Sequence, residues 1–198
     1  FDTLATCVAW SIAALVSGIF VWILADIVIA GLPSISWSFL TETPRNAGRD
    51  GGIFPIIIST LLILFVAMLV SVPLGLGTAI LLSELTRAES TFGMLVRRSL
   101  DVLAGVPSIV FGLFGNAFFC IYLGLGFSIL SGGLTLSCMV LPILIRATEE
   151  GFRSVPNEYR MGAAALGLSR TATLVQLLLP AAVPGIVVGL VLGIGRAL

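Results

Sequence analysis

The sequence contains no histidine and no lysine, and only 10% of its residues are charged. Each absence removes a class of chemistry. Without lysine there is no G-x-x-x-x-G-K-[ST] phosphate loop and no Schiff-base amine. Without histidine there is no H-E-x-x-H zinc site and no Ser-His or Cys-His nucleophile pair. The 10 arginines balance the 10 acidic residues, so the net charge is zero and nothing draws the chain toward nucleic acid. Cysteine is scarce: Cys7, Cys120 and Cys138 are widely spaced in apolar runs. This fits neither a metal site nor a disulfide framework, and they read as small buried hydrophobes.

What is present is apolar surface. Of the 198 residues, 58% are hydrophobic and the mean hydropathy is +1.17. A soluble domain carries about a quarter charged residues. Five runs approach the ~20 apolar residues that cross a bilayer. They are Leu4–Ala30, Ile53–Leu82, Val102–Leu125, Phe127–Ile145 and Leu174–Leu198. None shows the polar stripe of a soluble amphipathic helix. The chain starts without Met or a basic segment, and its first run is too long for a signal h-region, so that run reads as a retained membrane helix.

Arginine placement predicts orientation. Arg87, Arg97 and Arg98 lie in the 83–101 connection, and Arg146, Arg153, Arg160 and Arg170 in 146–173; the 31–52 connection holds only Arg45 and Arg49. The excess places 83–101, 146–173 and the N-terminus in the cytoplasm. Residues 1–52 then form a first helix and an extracytoplasmic loop, and 53–198 a core with a cytoplasmic segment at 147–173. Small residues recur at every fourth position and predict close helix packing. These stripes are Ala67-Ser71-Gly75-Ala79-Ser83, Ala104-Ser108-Gly112-Asn116 and Ala181-Gly185-Gly189-Gly193-Ala197. The expected fold is an all-α polytopic transmembrane bundle.

The 146–173 connection is the most informative stretch. Pro156 and Asn157 start a short helix, Ala163 to Leu166 continue it, and Gly167 is placed to end it in the left-handed conformation. Ser169 caps a second helix that runs through Leu177 and Leu179 to a break at Pro180. Helix, glycine turn and helix make a knob suited to docking on a soluble partner. The segment resembles the cytoplasmic loop of ABC-importer permeases, whose pattern is E-A-A, three residues, Gly, nine residues, I-x-L-P. Met161, Gly162 and Ala163 occupy the E-A-A positions, followed by Gly167 and then Leu177, Leu178, Leu179 and Pro180. Met161 and Gly162 depart from the pattern.

Further stretches are similar to the MetI-like permeases specific for phosphate. They are G-L-P-S-I-S-W-S-F-L from Gly31, G-G-I-F-P from Gly51, S-V-P-L-G-L-G-T-A-I from Ser71, A-G-V-P-S-I-V-F-G from Ala104, L-P-I-L-I-R-A-T-E-E from Leu141 and G-I-G-R-A from Gly193. The resemblance implies import of inorganic phosphate across the bacterial inner membrane by a subunit that performs no chemistry. ATP and Mg would be bound by a separate ATPase docked on the knob. An extracytoplasmic phosphate-binding protein and a second homologous permease would be the other partners, in contact with membrane lipid. It also implies six spans, five of which the chain shows, with both ends reading as cut.

An oxyanion crossing a low-dielectric path needs fixed positive charge. Arg196, in the G-R-A element, and Arg146, in I-R-A-T-E-E, are the candidates for that path. Each has a structural alternative, as an interface arginine or a helix-end charge. The depth of Arg196 depends on whether its span begins near Leu177 or after Pro184. Glu149 or Glu150 is expected to pair with Arg146 or Arg153, and Asp101 with Arg97, at helical spacing. Asn116 and Ser108 are expected to bond between helices, and Asp26 to snorkel. The rivals are a permease for sulfate, molybdate or phosphonate, and a secondary transporter without an ATPase. An intramembrane protease fails for want of histidine and of a facing aspartate pair.

Overall fold

The computed structural model describes residues 2–86 and 90–198; Arg87 lies outside them. The chain divides into two compact units, residues 1–58 and 59–198.

In the first unit, α1 (Asp2–Gly31) is a 30-residue helix. Its apolar side chains are exposed, including Cys7, which therefore lies on a surface rather than in a core. In hydrocarbon an apolar side chain loses nothing by being unburied, so the expectation of burial does not apply. Asp26 is exposed on the same helix. Ser36 caps the short α2 (Trp37–Thr41) by accepting from the Phe39 N–H at 3.1 Å. A small hairpin follows, with Pro44 opposite Gly51 and Arg45 opposite Asp50. Gly51 has φ +86°, and a Cβ there would collide with the Thr43 carbonyl. The G-G-I-F-P stretch is thus the place where chain must approach chain: Ile53 N–H donates to Phe39 O at 2.9 Å.

The helix α3 (Phe54–Ile80), which begins at the end of the first unit and runs on through the second, ends in a wide π-helical turn, Leu81–Leu85. Its buried residues are Ala67, Ser71, Gly75 and Ala79, the small stripe expected from the sequence. Next come α4 (Thr91–Ala104) and α5 (Ser108–Gly115), the latter continuing as a π turn to Tyr122. The run expected as one span from Val102 is instead bent by 98° between α4 and α5. Pro107 forces its predecessor out of the helical region and breaks the helix there. The stripe expected on this run does not pack: Ser108, Gly112 and Asn116 are exposed, while Phe111, Gly115 and Phe119 are buried.

The helix α6 (Ile129–Arg153) runs past Ile145, so Arg146 lies within it rather than at its end. The knob is α7 (Asn157–Ala165), a glycine turn and α8 (Arg170–Thr173). From α8 the chain passes through a π turn, Leu174–Leu178, into α9 (Leu179–Ala197). The break expected at Pro180 does not occur, and Arg170–Ala197 is one 28-residue span candidate. Proline lacks an N–H, and its ring crowds the carbonyl four residues earlier, here Gln176. A widened turn at that position absorbs both defects. Four helices are long and apolar enough to cross a membrane, or five if the bent pair counts as one.

The extensive contact between α6 and α9 is made by small residues. A Cβ on Gly151 would lie 2.9 Å from Gly185 Cα, and Gly189 and Gly193 face Ala147 and Val140. The pairing runs antiparallel. Gly185→Val is expected to cost about 1–3 kcal/mol by overpacking. Gly77→Ala, where nothing lies within 4 Å of the added carbon, is expected to gain about 0.5–1 kcal/mol from helix propensity. Thermal unfolding of the detergent-solubilised protein measures both.

Candidate functional site

Two polar constellations stand out. The first is centred on Glu149 in α6, whose side chain is 2% exposed. It accepts from Arg97 Nε of α4 at 2.7 Å and from Arg153 Nη2 at 3.0 Å, and lies 3.6 Å from Arg146 Nη1. The i,i+4 and i,i+3 contacts to Arg153 and Arg146 follow the expected helical spacing; the contact from Arg97 spans 52 residues. Asp101 pairs with Arg146, not with Arg97 as expected. The bend puts Asp101 one turn from the end of α4, opposite α6, while Arg97 turns inward to the more deeply buried carboxylate. Arg97 Nη2 also donates to Leu82 O at 2.7 Å, and Arg146 Nη2 to Arg97 O at 2.9 Å.

Arg196 stands in the last turn of α9, partly buried, with no hydrogen bond or ion pair to its guanidinium among the described residues. Measured from Arg170, where the continuous helix begins, it lies about 39 Å along the axis at 1.5 Å per residue. The antiparallel pairing puts Arg146 level with about residue 190 of α9. The two arginines are thus about 9 Å apart along the helix axis, and no contact brings them together. Two cavities of about 510 and 550 Å³ flank α5 and α6, and no charged residue lines either. Asn116 opens onto the second beside Ser131 and Thr135, rather than bonding to another helix as expected. No group of three or more His, Cys, Asp or Glu able to hold a metal occurs among the described residues.

The second constellation is the knob. At the end of α7, Leu168 N–H donates to Ala163 O and Gly167 N–H to Ala164 O, both at 3.0 Å, with Gly167 at φ +70°. That pair of bonds is a Schellman motif, which needs a left-handed residue. Ser169 caps α8 through the Ala172 N–H at 3.2 Å. Ala163 is buried, whereas Gly162, Met161 and Leu166 are exposed, the last two at 63% and 80%. Leu177 and Leu179 are half-buried and Pro180 exposed. The anchor is Leu178 between them, packed with Phe152, Val155 and Ala182.

A second long-range pair holds the knob from behind. Arg160 of α7 meets Glu84 of the α3 terminus through Nη2 at 2.6 Å and Nε at 3.2 Å. The Glu84 hydrogen bonds raise the guanidinium's pKa above its usual value, with the carboxylate charge adding and burial opposing. Sequence reasoning missed this pair and the Arg97–Glu149 pair. The available signal was the position of Glu84 and Glu149 at the ends of apolar runs, where an acid requires a partner.

Four to five apolar span candidates and an amphipathic α4 define a polytopic membrane component. Residues 71–198 match the family described as "Binding-protein-dependent transport system inner membrane component", and the chain belongs to that family. It is 35% identical over 98% of its length to the "Probable ABC transporter permease protein YqgI" of Bacillus subtilis, covering 66% of that protein. It is 34% identical over 89% of its length to the phosphate transport system permease protein PstA 2 of Mycobacterium bovis, covering 58% of it. To the PstA of Mycobacterium leprae it is 36% identical over 90% of its length, covering 59%. The chain therefore spans about three fifths to two thirds of these relatives. Among solved structures, the MetNI methionine ABC transporter has a chain of the same fold. The TM-score is 0.58 at 19% identity, over 74% of this chain and 69% of that one.

Replacing Glu149 with Ala leaves three arginines around a vacated buried site. Breaking a buried pair in this way costs about 3–5 kcal/mol. The same substitution at exposed Glu150 is expected to change stability by less than about 0.5 kcal/mol. Thermal unfolding in detergent compares the two.

Proposed function

We propose that the chain is the permease of an ATP-driven importer of inorganic phosphate in the bacterial inner membrane. The observation that carries this reading is the knob. A helix, Schellman turn and helix presents Met161 and Leu166 to solvent at 63% and 80% exposure. On a segment outside the apolar spans, these side chains are available to a protein partner. A separate ATPase, which binds ATP and Mg, takes that contact. Met161, Gly162, Ala163, Gly167, Leu177, Leu179 and Pro180 form or brace the coupling element. Several relatives are named phosphate transport system permeases, which supports phosphate as the cargo. A second homologous permease completes the path, and an extracytoplasmic binding protein delivers the substrate.

The arginine excess in 83–101 and 146–173 supports a cytoplasmic knob and N-terminus. Arg196 is the first candidate for contact with phosphate, since its guanidinium has no carboxylate partner among the described residues. Arg146 is the second; its charge is matched by Asp101 and Glu149, so phosphate would compete with carboxylates there.

Gly167→Val forces a β-branched residue into φ +70° and distorts the turn. It is expected to abolish coupled phosphate uptake while the subunit remains in the membrane. Undiminished uptake contradicts the coupling role. Arg196→Gln is expected to lower phosphate uptake at least tenfold without changing protein level or ATPase association, read with radiolabelled phosphate and with sulfate and molybdate as competitors. Uptake unaffected by the substitution removes Arg196 from the path, and competition by sulfate or molybdate as strong as by phosphate reassigns the cargo.

A further inference from the structure

The ends of three helices meet at one guanidinium. All five N–H donors of Arg160 have acceptors. Nε and one hydrogen of Nη2 hold the two Glu84 oxygens, at 3.2 and 2.6 Å. The other Nη2 hydrogen reaches Phe152 O at 3.1 Å, and Nη1 reaches Val155 O at 3.0 Å and Asn157 Oδ1 at 3.3 Å. Phe152 is in the last turn of α6, Asn157 opens α7, and Glu84 lies in the π turn that ends α3. The Phe152 carbonyl of α6, the Val155 carbonyl just beyond it and the Asn157 amide oxygen aim the fork, and the fork grips a carboxylate 76 residues away.

Geometry and burial separate this pair from an ordinary surface ion pair. Its side chains are only 29% and 13% exposed. A two-pronged arginine–carboxylate contact fixes direction as well as distance, whereas a single exposed contact is worth little. The α7 helix is thereby two-sided. Met161 looks outward at 63% exposure, while Arg160 and Ala163, one turn apart, look inward, with Ala163 at 2% exposure. At the receiving end, the π turn of α3 is also held by Arg97, which donates to Leu82 O at 2.7 Å and grips Glu149 of α6. Single wide turns of this kind inside helices are frequent at functional sites.

We propose that the Arg160–Glu84 pair is the link by which a displacement of α7 is passed to the end of α3. Both are positioning residues; neither touches the transported ion. A push on the outer face of α7 moves Arg160, Arg160 carries Glu84, and the π turn converts the movement into a shift of α3. The proposal rests on the reading of the knob as the ATPase contact.

The test uses the assembled transporter in proteoliposomes, with ATP hydrolysis and radiolabelled phosphate uptake measured together. In E84Q and R160Q the ATPase is expected to co-purify as in wild type, and hydrolysis to persist. Phosphate carried per ATP is expected to fall by roughly fivefold or more, the lower end of usual coupling factors. R160K keeps the charge but loses the fork, and is expected to fall between wild type and R160Q. If R160Q does not accumulate in the membrane, E84Q and R160K carry the comparison. Unchanged phosphate per ATP in these variants overturns the proposal. So does loss of the ATPase from the variant complex, because the pair would then hold the docking surface rather than transmit its movement. Absence of ATPase from the wild-type preparation is a different result, and it sinks the coupling reading beneath the proposal.

Discussion

A carboxylate enclosed by apolar helices costs several kcal/mol unless opposite charge surrounds it, and Glu149 is enclosed to 2% exposure. Much of the order at this end of the 59–198 unit follows from that constraint. Arg97 must come from α4 to meet it, which ties the amphipathic helix to α6. Once there, Arg97 has donors to spare, and one takes the Leu82 carbonyl in the π turn of α3. Arg146 flanks the same carboxylate and is balanced in turn by Asp101 of α4. One buried acid thus joins the ends of α3, α4 and α6. The knob leaves α6 directly beyond this cluster, so its base is fixed where its tip is free.

Away from the charges, packing has to work without a strong hydrophobic drive, because lipid is as apolar as a leucine side chain. The solution in α6 and α9 is close approach: Gly151 meets Gly185 backbone to backbone, and Gly189 and Gly193 let Thr148 and Val140 sit close. The α7–α8 segment joins these two helices at one end, and Phe152, Val155, Leu178 and Ala182 fill the junction. In the proposed coupling, a load on the knob would reach this close-packed pair through that junction, with Arg160 as a second route into α3.

Much of this was legible from residue types alone. The Ala67-Ser71-Gly75-Ala79 stripe is the buried face of α3, because small side chains are what permit contact there. Gly167 ends α7 in the left-handed region and Ser169 caps α8, because local capping chemistry depends only on neighbours. Illegible features were set by distant contacts or by accommodation. Nothing near Arg97 or Arg160 in sequence names Glu149 or Glu84 as partners 52 and 76 residues away. Pro107 and Pro180 look alike as breakers, yet one gives a 98° bend and the other is absorbed by a π turn. Pro73, Pro142 and Pro184 lie inside helices as well, so proline alone does not say where a span breaks. The stripe through Gly112 obeyed the same spacing rule as that of α3, but Phe111, Gly115 and Phe119 took the packed face.

Under the proposed function, energy reaches the membrane helices through the knob from another polypeptide. The most direct measurement is phosphate uptake into proteoliposomes that contain this permease and its partner permease, with and without the ATPase, at fixed ion gradients. The predicted result is uptake that requires both the ATPase and hydrolysable ATP and is indifferent to dissipating the gradients. Uptake that continues without the ATPase and collapses with the proton or sodium gradient would contradict it.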